Sequence, residues 1–292
     1  MKFQSRLQSL SMAALVSLLL VGTATAQISD IPDDEIEQCL REGTISGKNG
    51  ILVGLTRPVH FQLDCSGDVD SAVFKHLDSH RPGLTRLEGG HLERDFTDSY
   101  KYERAAYLLD RRLGLNMVPV AVLRKVKATQ GAMVAWIPNA AHESQMGKNR
   151  NGQLMASLAP QKSTMRLFDA LILNFDRRQE NWLVDEDTWK LYLIDHSRSF
   201  SISQKLPKEF TGGPARLTRA LYKELQALDE AQITELLGDL ISDSQIRAVL
   251  ARKDLILEKI DKDSEEIGKS IVFTDELSDQ PAAEVAASNL GH

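Results

Sequence analysis

The amino-acid sequence predicts a two-lobed α+β fold, with an antiparallel sheet and one helix in the first lobe and mostly helices in the second. Short β-like segments separated by turn-forming residues dominate the first half of the chain. The second half carries the apolar spacing of helices, and an Ile-Pro-Asn break at 137–139 separates the two parts. The 292 residues, 42% of them hydrophobic, suit one large domain or two small lobes with a sizeable core.

The first lobe is predicted to contain five strands and one helix in the order β-β-β-α-β-β. The strands are predicted at 51–55, 59–63, 71–75, 117–124 and 132–136, and the helix at 99–113. A polar loop around Arg81-Pro-Gly is expected between the third strand and the helix. The third strand ends on Lys75, and Glu103 lies beside the apolar stripe of the helix. A short additional helix is predicted at 33–41.

The second lobe is predicted to begin with a polar, loop-rich stretch over 139–162. The helix predicted over 163–174 is apolar on nearly all sides, as expected for a buried central helix. A hairpin is expected over 182–194, with Asp185-Glu-Asp-Thr at its turn. Further helices are predicted over 215–228, 230–240 and 244–266.

The two ends of the chain are expected to lie outside the lobes. Lys2 and Arg6 precede an apolar run from Met12 to Val21, and an A-x-A sequence follows at 24–26, which is typical of a secretory signal peptide. We therefore expect a periplasmic or secreted protein, with no stable membrane span once the signal is removed. The predicted organisation is a signal peptide at 1–26, an N-lobe at 27–138, a C-lobe at 139–274 and a disordered acidic tail at 275–292.

The cysteine content and the charge limit the classes of protein that fit. In an exported chain Cys39 and Cys65 could form a disulfide, and the alternative is two buried thiols. The sequence does not decide between them. The net charge is −6 and no block of basic residues is present, which argues against binding of nucleic acid.

A candidate site is formed by five polar residues that stand against apolar sequence. Transfer of a γ-phosphoryl group requires a lysine on the triphosphate, a base for the attacking hydroxyl and oxygen ligands for a divalent metal. We assign these roles, in chain order, to Lys75 with Glu103 as its carboxylate partner, to Asp176 as the base, and to Asn181 and Asp195 as metal ligands. Each residue taken alone has a structural alternative, such as a strand end or a turn cap.

A sixth candidate belongs to the turn between the first two predicted strands. Arg57 in this turn could reach a phosphate group of the nucleotide. It would act where a glycine-rich loop is absent, because no G-x-G-x-x-G sequence precedes the third strand.

These motifs resemble those of known kinases. The spacing of Asp176 and Asn181 matches the D-x4-N of eukaryotic protein kinases and of phosphatidylinositol 3-/4-kinases, and Asp176-Arg177 matches the Asp-Arg-His start of the lipid-kinase catalytic loop. Residues 168–177 resemble that loop in the secretory-pathway kinases related to Golgi casein kinase, and residues 195–200 resemble their Asp-Asn-Gly-Arg-Gly-Phe metal segment. Residues 103–119 are similar to the N-lobe helix of bacterial relatives in this group.

The resemblance covers about residues 50–265 and implies a protein-kinase-like fold, ATP as donor and Mg²⁺ or Mn²⁺ as metal. The acceptor would be a hydroxyl of a protein or a small molecule, and the acidic charge argues against an anionic lipid. Arg178 replaces the usual histidine of the loop, and His196-Ser197 replaces the commoner Asn-Gly or Phe-Gly. These departures leave two alternatives open, a nucleotide-binding pseudokinase scaffold without transfer and nucleotidyl transfer on the same fold.

Overall fold

A computed structural model of the chain describes residues 31–51, 58–65, 69–86, 90, 92–143, 145–146 and 152–275. The predicted signal peptide, Arg57 and residues 276–292 lie outside this part. The elements in chain order are α1 Asp33–Glu42, β1 Thr44–Ile51, β2 Val59–Asp64, β3 Ser71–Lys75, β4 Asp78–Arg86, β5 Leu92–Ser99, α2 Lys101–Arg112, β6 Ala121–Val126, β7 Thr129–Ala135, β8 Ala140–His142, α3 Gly152–Ile172, β9 Trp182–Asp185, β10 Leu191–Leu193, α4 Lys208–Thr211, α5 Arg219–Ala227, α6 Glu230–Leu237, α7 Asp243–Ile267 and α8 Lys269–Val272.

The first lobe is built on a five-stranded antiparallel sheet in the order β1-β2-β3-β7-β6. β3 has the predicted bounds and lies at the centre of the sheet, between β2 and β7. A Cβ at Gly131 of β7 would lie 2.4 Å from the carbonyl oxygen of Lys75 and 2.6 Å from the ring of Phe74. A residue without a side chain is therefore required here, because β7 passes close to the end of β3.

The outcome differs for the first predicted strand and for the polar loop around Arg81. Only Ile51 of the strand predicted at 51–55 is described, as the last residue of β1, and residues 52–55 lie outside the described part. Its sequence is polar and its pairing with β2 shifts register twice, so it lacks the alternation that marks a strand. The polar loop expected around Arg81 is the hairpin β4–β5, whose register shift between Arg81 and Leu84 accommodates a Pro-Gly pair.

Helices α1 and α2 pack against the sheet at β6 and β7. The predicted stripe of α2 is confirmed, since every member is at most 2% exposed: Tyr102, Ala105, Ala106, Leu109 and Leu113. Cys39 of α1 and Cys65, which follows β2, form a disulfide with a Cα–Cα distance of 5.6 Å. The covalent bond ties the first helix to the end of β2.

The second lobe is organised around α3, whose residues Phe168 and Leu171 are fully buried. The polar stretch at 139–162 predicts a loop before 163, but the helix begins at Gly152 and continues through Pro160. β8 pairs with the predicted hairpin β9–β10 in a second sheet. Since β7 ends at Ala135 and β8 pairs with β9, we retain the lobe boundary between 138 and 139 as a proposal.

The remaining helices form the far side of the second lobe. The three predicted helices correspond to α5, α6 and α7, and α7 packs against both α3 and α6. Arg252 of α7 is fully buried and donates to the carbonyl oxygens of Leu171 and Ser201, at 2.8 Å and 3.0 Å. In the described part of the chain no helix is long and apolar enough to cross a membrane.

The disulfide yields a first testable prediction. Its two cysteines are separated by 26 positions, and a bond that closes a loop of this length stabilises a protein by about 3 kcal/mol. We expect reduction, or the double substitution Cys39→Ser and Cys65→Ser, to lower the free energy of unfolding by about that amount in urea titrations. Equal unfolding midpoints for the oxidised and reduced protein would contradict this.

Candidate active site

The candidate site is centred on Lys75, whose ammonium group binds two carboxylates. Its Nζ lies 2.6 Å from Glu103 Oε1 and 2.8 Å from Asp195 Oδ1. Lys75 ends β3, Glu103 lies in the first turn of α2, and Asp195 follows β10. The ion pairs therefore join the sheet, the helix and the second lobe at one point.

Burial and charge act in opposite directions on this pair. Burial disfavours the charged ammonium, but Asp195 and Glu103 outweigh it and raise the pKa of Lys75. Burial likewise favours a protonated carboxyl at Glu103, which is 2% exposed, but Lys75 and His196 outweigh it and lower the pKa of Glu103 far below its usual range. Both side chains are consequently charged at neutral pH.

His196 connects this pair to a second ion pair inside the second lobe. Its backbone N–H donates to Glu103 Oε1 at 3.1 Å, and its Nδ1 lies 3.5 Å from Glu103 Oε2. Its Nε2 lies 3.1 Å from Arg177 Nη2, and Arg177 is bound to Asp169 at 3.0 Å. Burial lowers the pKa of His196, although Glu103 opposes this, so the ring is neutral and bridges the two pairs.

The backbone conformation and its hydrogen bonds position Asp195 beside Lys75. Its φ is 61°, in the left-handed region, which aspartate tolerates better than most residues. The segment that follows is fixed by Ser99 N, which donates to Ser197 O at 2.8 Å, and by Phe200 N, which donates to Ile172 O at 2.6 Å. Both lobes thus hold the segment that carries Asp195.

Asp176 and Asn181 lie in the loop that leaves α3. Asn174 Oδ1 accepts from the backbone N–H of Asp176 at 3.1 Å, and Asn181 Nδ2 donates to the carbonyl oxygen of Asp176. Arg177 binds the carbonyl oxygens of Asn181 and Ile194, which closes the loop onto the β9–β10 hairpin. The Asp176 carboxylate pairs only with the exposed Arg178 among the described residues, at 3.0 Å.

The donor set fits a divalent metal that is shared with phosphate. Since Nδ2 of Asn181 is used within the loop, its amide oxygen is the atom that can bind a cation. The Asp195 side chain is 39% exposed and supplies a carboxylate. No group of three His, Cys, Asp or Glu residues in the described ranges can hold a metal alone. Magnesium in nucleotide sites is commonly bound by one or two carboxylates together with phosphate oxygens.

The structure brings Lys75, Glu103 and Asp195 into direct contact and places Asp176 and Asn181 in one loop, whereas Arg57 lies outside the described residues. No sequence pattern assigned a role to Asp169, Arg177 or His196, which form the buried connection behind the site. In the sequence these residues stand out only as members of the two motifs at 168–177 and 195–200, and membership of a motif does not reveal contact partners.

Comparison with known proteins identifies the fold. No family model and no curated protein matches this sequence. The chain is similar to the structure of hydra Fam20 with sugar, with a TM-score of 0.59 and 16% identity over 82% of this chain and 90% of that one. It is also similar to Golgi casein kinase, with a TM-score of 0.57 and 15% identity, and to that kinase with Mn and ADP bound, with a TM-score of 0.56 and 16% identity, each over 82% of this chain and 78% of the other.

The fold of the chain follows from these structural similarities. The chain has a two-lobed, Fam20-like kinase fold, with an antiparallel N-terminal sheet and a mostly helical second lobe, as the motifs predicted. At this level of identity the likeness establishes the fold alone.

The neutral, buried His196 yields a prediction for stability against pH. A histidine whose folded pKa is lowered binds its proton more readily when unfolded, so its contribution to stability is lost as the pH falls below about 6.5. In metal-free buffer we expect the free energy of unfolding to fall less steeply between pH 7 and pH 5 in His196→Asn than in the wild type. The difference in slope is at most about 1.4 kcal/mol per pH unit.

The matched control for this measurement is His80→Asn. The His80 side chain is 55% exposed and its replacement should leave the wild-type slope in place. Identical slopes for the wild type and His196→Asn would show that His196 is not held neutral.

Proposed function

We propose that this chain is an exported phosphotransferase that uses ATP and Mg²⁺ or Mn²⁺ to phosphorylate a hydroxyl of a protein or a small molecule. The observation that carries the proposal is the contact of Lys75 with both Glu103 and Asp195, beside a loop that bears Asp176 and Asn181. A kinase fold with this set of residues fits phosphoryl transfer. Fold alone would not justify the reaction, because one fold hosts many functions.

The proposed roles follow from the contacts. Lys75, oriented by Glu103, would bind phosphate oxygens of the nucleotide, and Asp195 and Asn181 would hold the metal. The metal, when bound, neutralises the charge on the phosphates. Asp176 would accept the proton of the acceptor hydroxyl as its oxygen bonds to the γ-phosphorus, and ADP would leave. Arg57 is retained as a proposed phosphate contact.

Export and the cofactors belong to this proposal too. The disulfide between Cys39 and Cys65 is compatible with an oxidising compartment, which supports the signal peptide predicted from the sequence. The nucleotide and the metal are extended to this chain from its kinase fold, and Golgi casein kinase has been solved with Mn and ADP. The acidic net charge favours a protein acceptor over an anionic lipid.

One observation favours a second candidate, a nucleotide-binding scaffold that does not transfer phosphate. Arg178 stands where a histidine is usual, and its guanidinium lies 3.0 Å from a carboxylate oxygen of Asp176. A persistent ion pair would compete with an incoming hydroxyl for this carboxylate. Nucleotidyl transfer on the same fold is a third candidate that the same experiment distinguishes.

Transfer is tested with γ-labelled ATP, Mn²⁺ or Mg²⁺ and the chain from Gln27, assayed for autophosphorylation and for labelling of a mixed protein acceptor. We expect Asp176→Asn to reduce the labelling rate by about 100-fold or more, because the base is lost. Asp195→Asn should abolish labelling, because the metal ligand is lost. Asp187→Asn, at the exposed tip of the β9–β10 hairpin, is the matched control and should keep the wild-type rate.

Other outcomes of this assay select the other candidates. ATP binding with no label in any protein would reject transfer and support the scaffold. Label from an α-labelled donor, with none from the γ-labelled one, would support nucleotidyl transfer. Absence of ATP binding in the presence of either metal would reject all three functions.

The role of Lys75 is tested by ATP affinity. A charge-assisted bond to a phosphate contributes about 1.5–3 kcal/mol, so Lys75→Met should weaken ATP binding about tenfold to 100-fold in calorimetry. Lys125→Met, at an exposed position of β6, is the matched control and should bind ATP as the wild type does. Unchanged affinity in Lys75→Met would remove Lys75 from the proposed nucleotide site.

A further inference from the structure

A third carboxylate lies beside the candidate site. Asp98 is the penultimate residue of β5 and is only 5% exposed. Its Oδ1 is buried and has no hydrogen-bond partner among the described residues. A buried carboxylate oxygen without a partner is costly, and native proteins retain one where it binds something or serves the chemistry.

Ser197 relates Asp98 to Asp195. Its hydroxyl lies 3.3 Å from Asp195 Oδ1, and the same side chain is hydrogen-bonded to Asp98. Since a hydroxyl carries one hydrogen, it can donate to only one of the two carboxylates at a time. The backbone keeps the two acids close, because Ser99 N donates to Ser197 O at 2.8 Å.

The surroundings of Asp98 raise the pKa of its carboxyl group. Burial raises its pKa, Ser197 opposes this, Asp195 raises it further by repulsion, and Lys75 and Arg198 act against the rise without outweighing it. Lys75 donates to Glu103 and to Asp195, and no bond from it to Asp98 is present among the described contacts. A divalent cation between Asp98 and Asp195 would convert their repulsion into attraction.

We propose that Asp98 is a further metal-binding residue, and that it and Asp195 supply the protein oxygens of a divalent-cation position beside the Asn181–Asp195 pair. Two carboxylates suffice when water and phosphate oxygens complete the shell. The inference rests on the proposed function for those phosphate oxygens. The competing explanation is structural, with Asp98 serving only to orient Ser197.

The test is the binding of Mn²⁺, followed by electron paramagnetic resonance of the free ion, with and without a non-hydrolysable ATP analogue. Asp98→Asn keeps the size of the side chain and an oxygen that accepts from Ser197, but it removes the charge. We expect it to weaken Mn²⁺ binding about tenfold or more at one position. Ser197→Ala removes the hydroxyl that orients the carboxylates but keeps both of them, so we expect it to weaken Mn²⁺ binding less than Asp98→Asn does.

Three results would overturn the proposal. The first is an Asp98→Asn protein that binds Mn²⁺ as tightly as the wild type does. The second is an equal loss of Mn²⁺ affinity in Asp98→Asn and Ser197→Ala. The third is a wild type that does not bind Mn²⁺ with or without the ATP analogue. Failure of the analogue to bind contradicts the proposed function instead, and the titration without nucleotide still tests Asp98. If Asp98→Asn does not fold, the test is anomalous scattering from wild-type crystals soaked in Mn²⁺. A peak in contact with the carboxylates of Asp98 and Asp195 supports the proposal, and the absence of a peak there overturns it.

Discussion

The ion pairs of Lys75 with Glu103 and Asp195 are the interaction on which the rest of the structure depends. Glu103 is almost fully buried, and removing the partner of a buried charge costs about 3–5 kcal/mol. The three residues come from β3, from α2 and from the segment after β10, so the charge can be compensated only when these elements lie in one arrangement. Gly131 serves the same end, because a side chain there would displace the end of β3. The position of α2 is thereby coupled to the second lobe.

The second lobe supports this arrangement through backbone and side-chain bonds that reach across both lobes. Gln245 of α7 donates to the hydroxyl of Tyr102 at 2.8 Å and to the carbonyl oxygen of Phe200 at 2.7 Å. One buried amide therefore connects α2 to the segment that carries Asp195. Phe200 has a φ of 59°, a conformation that the surrounding bonds must maintain. The segment from Asp195 to Phe200 is a fixed part of the site, and this rigidity would keep metal and phosphate ligands in register.

Sequence patterns predicted the elements whose signals are local. The bounds of β3, the stripe of α2 and the hairpin of β9 and β10 follow from alternation, helical spacing and turn residues. The β4–β5 hairpin was missed because β4 is largely exposed and contains a Pro-Gly pair. The start of α3 was missed because the stretch at 139–162 is polar. In the site, the order and spacing of the polar residues along the chain predicted the ones that contact Lys75. The buried link through His196 depends on contacts between distant segments, which periodicity does not encode.

The two departures from common kinase motifs, at Arg178 and at His196, differ in their burial and in their contacts. This difference bears on the choice between a phosphotransferase and a nucleotide-binding scaffold. His196 is fully buried and bridges Glu103 and Arg177, so its presence completes an ion network that is intact. The Arg178 side chain is 68% exposed, and exposed ion pairs contribute about 0–1 kcal/mol. Such a pair can open when a hydroxyl approaches, at a cost far below the barrier to phosphoryl transfer. The exposed pair therefore does not disqualify Asp176 as a base.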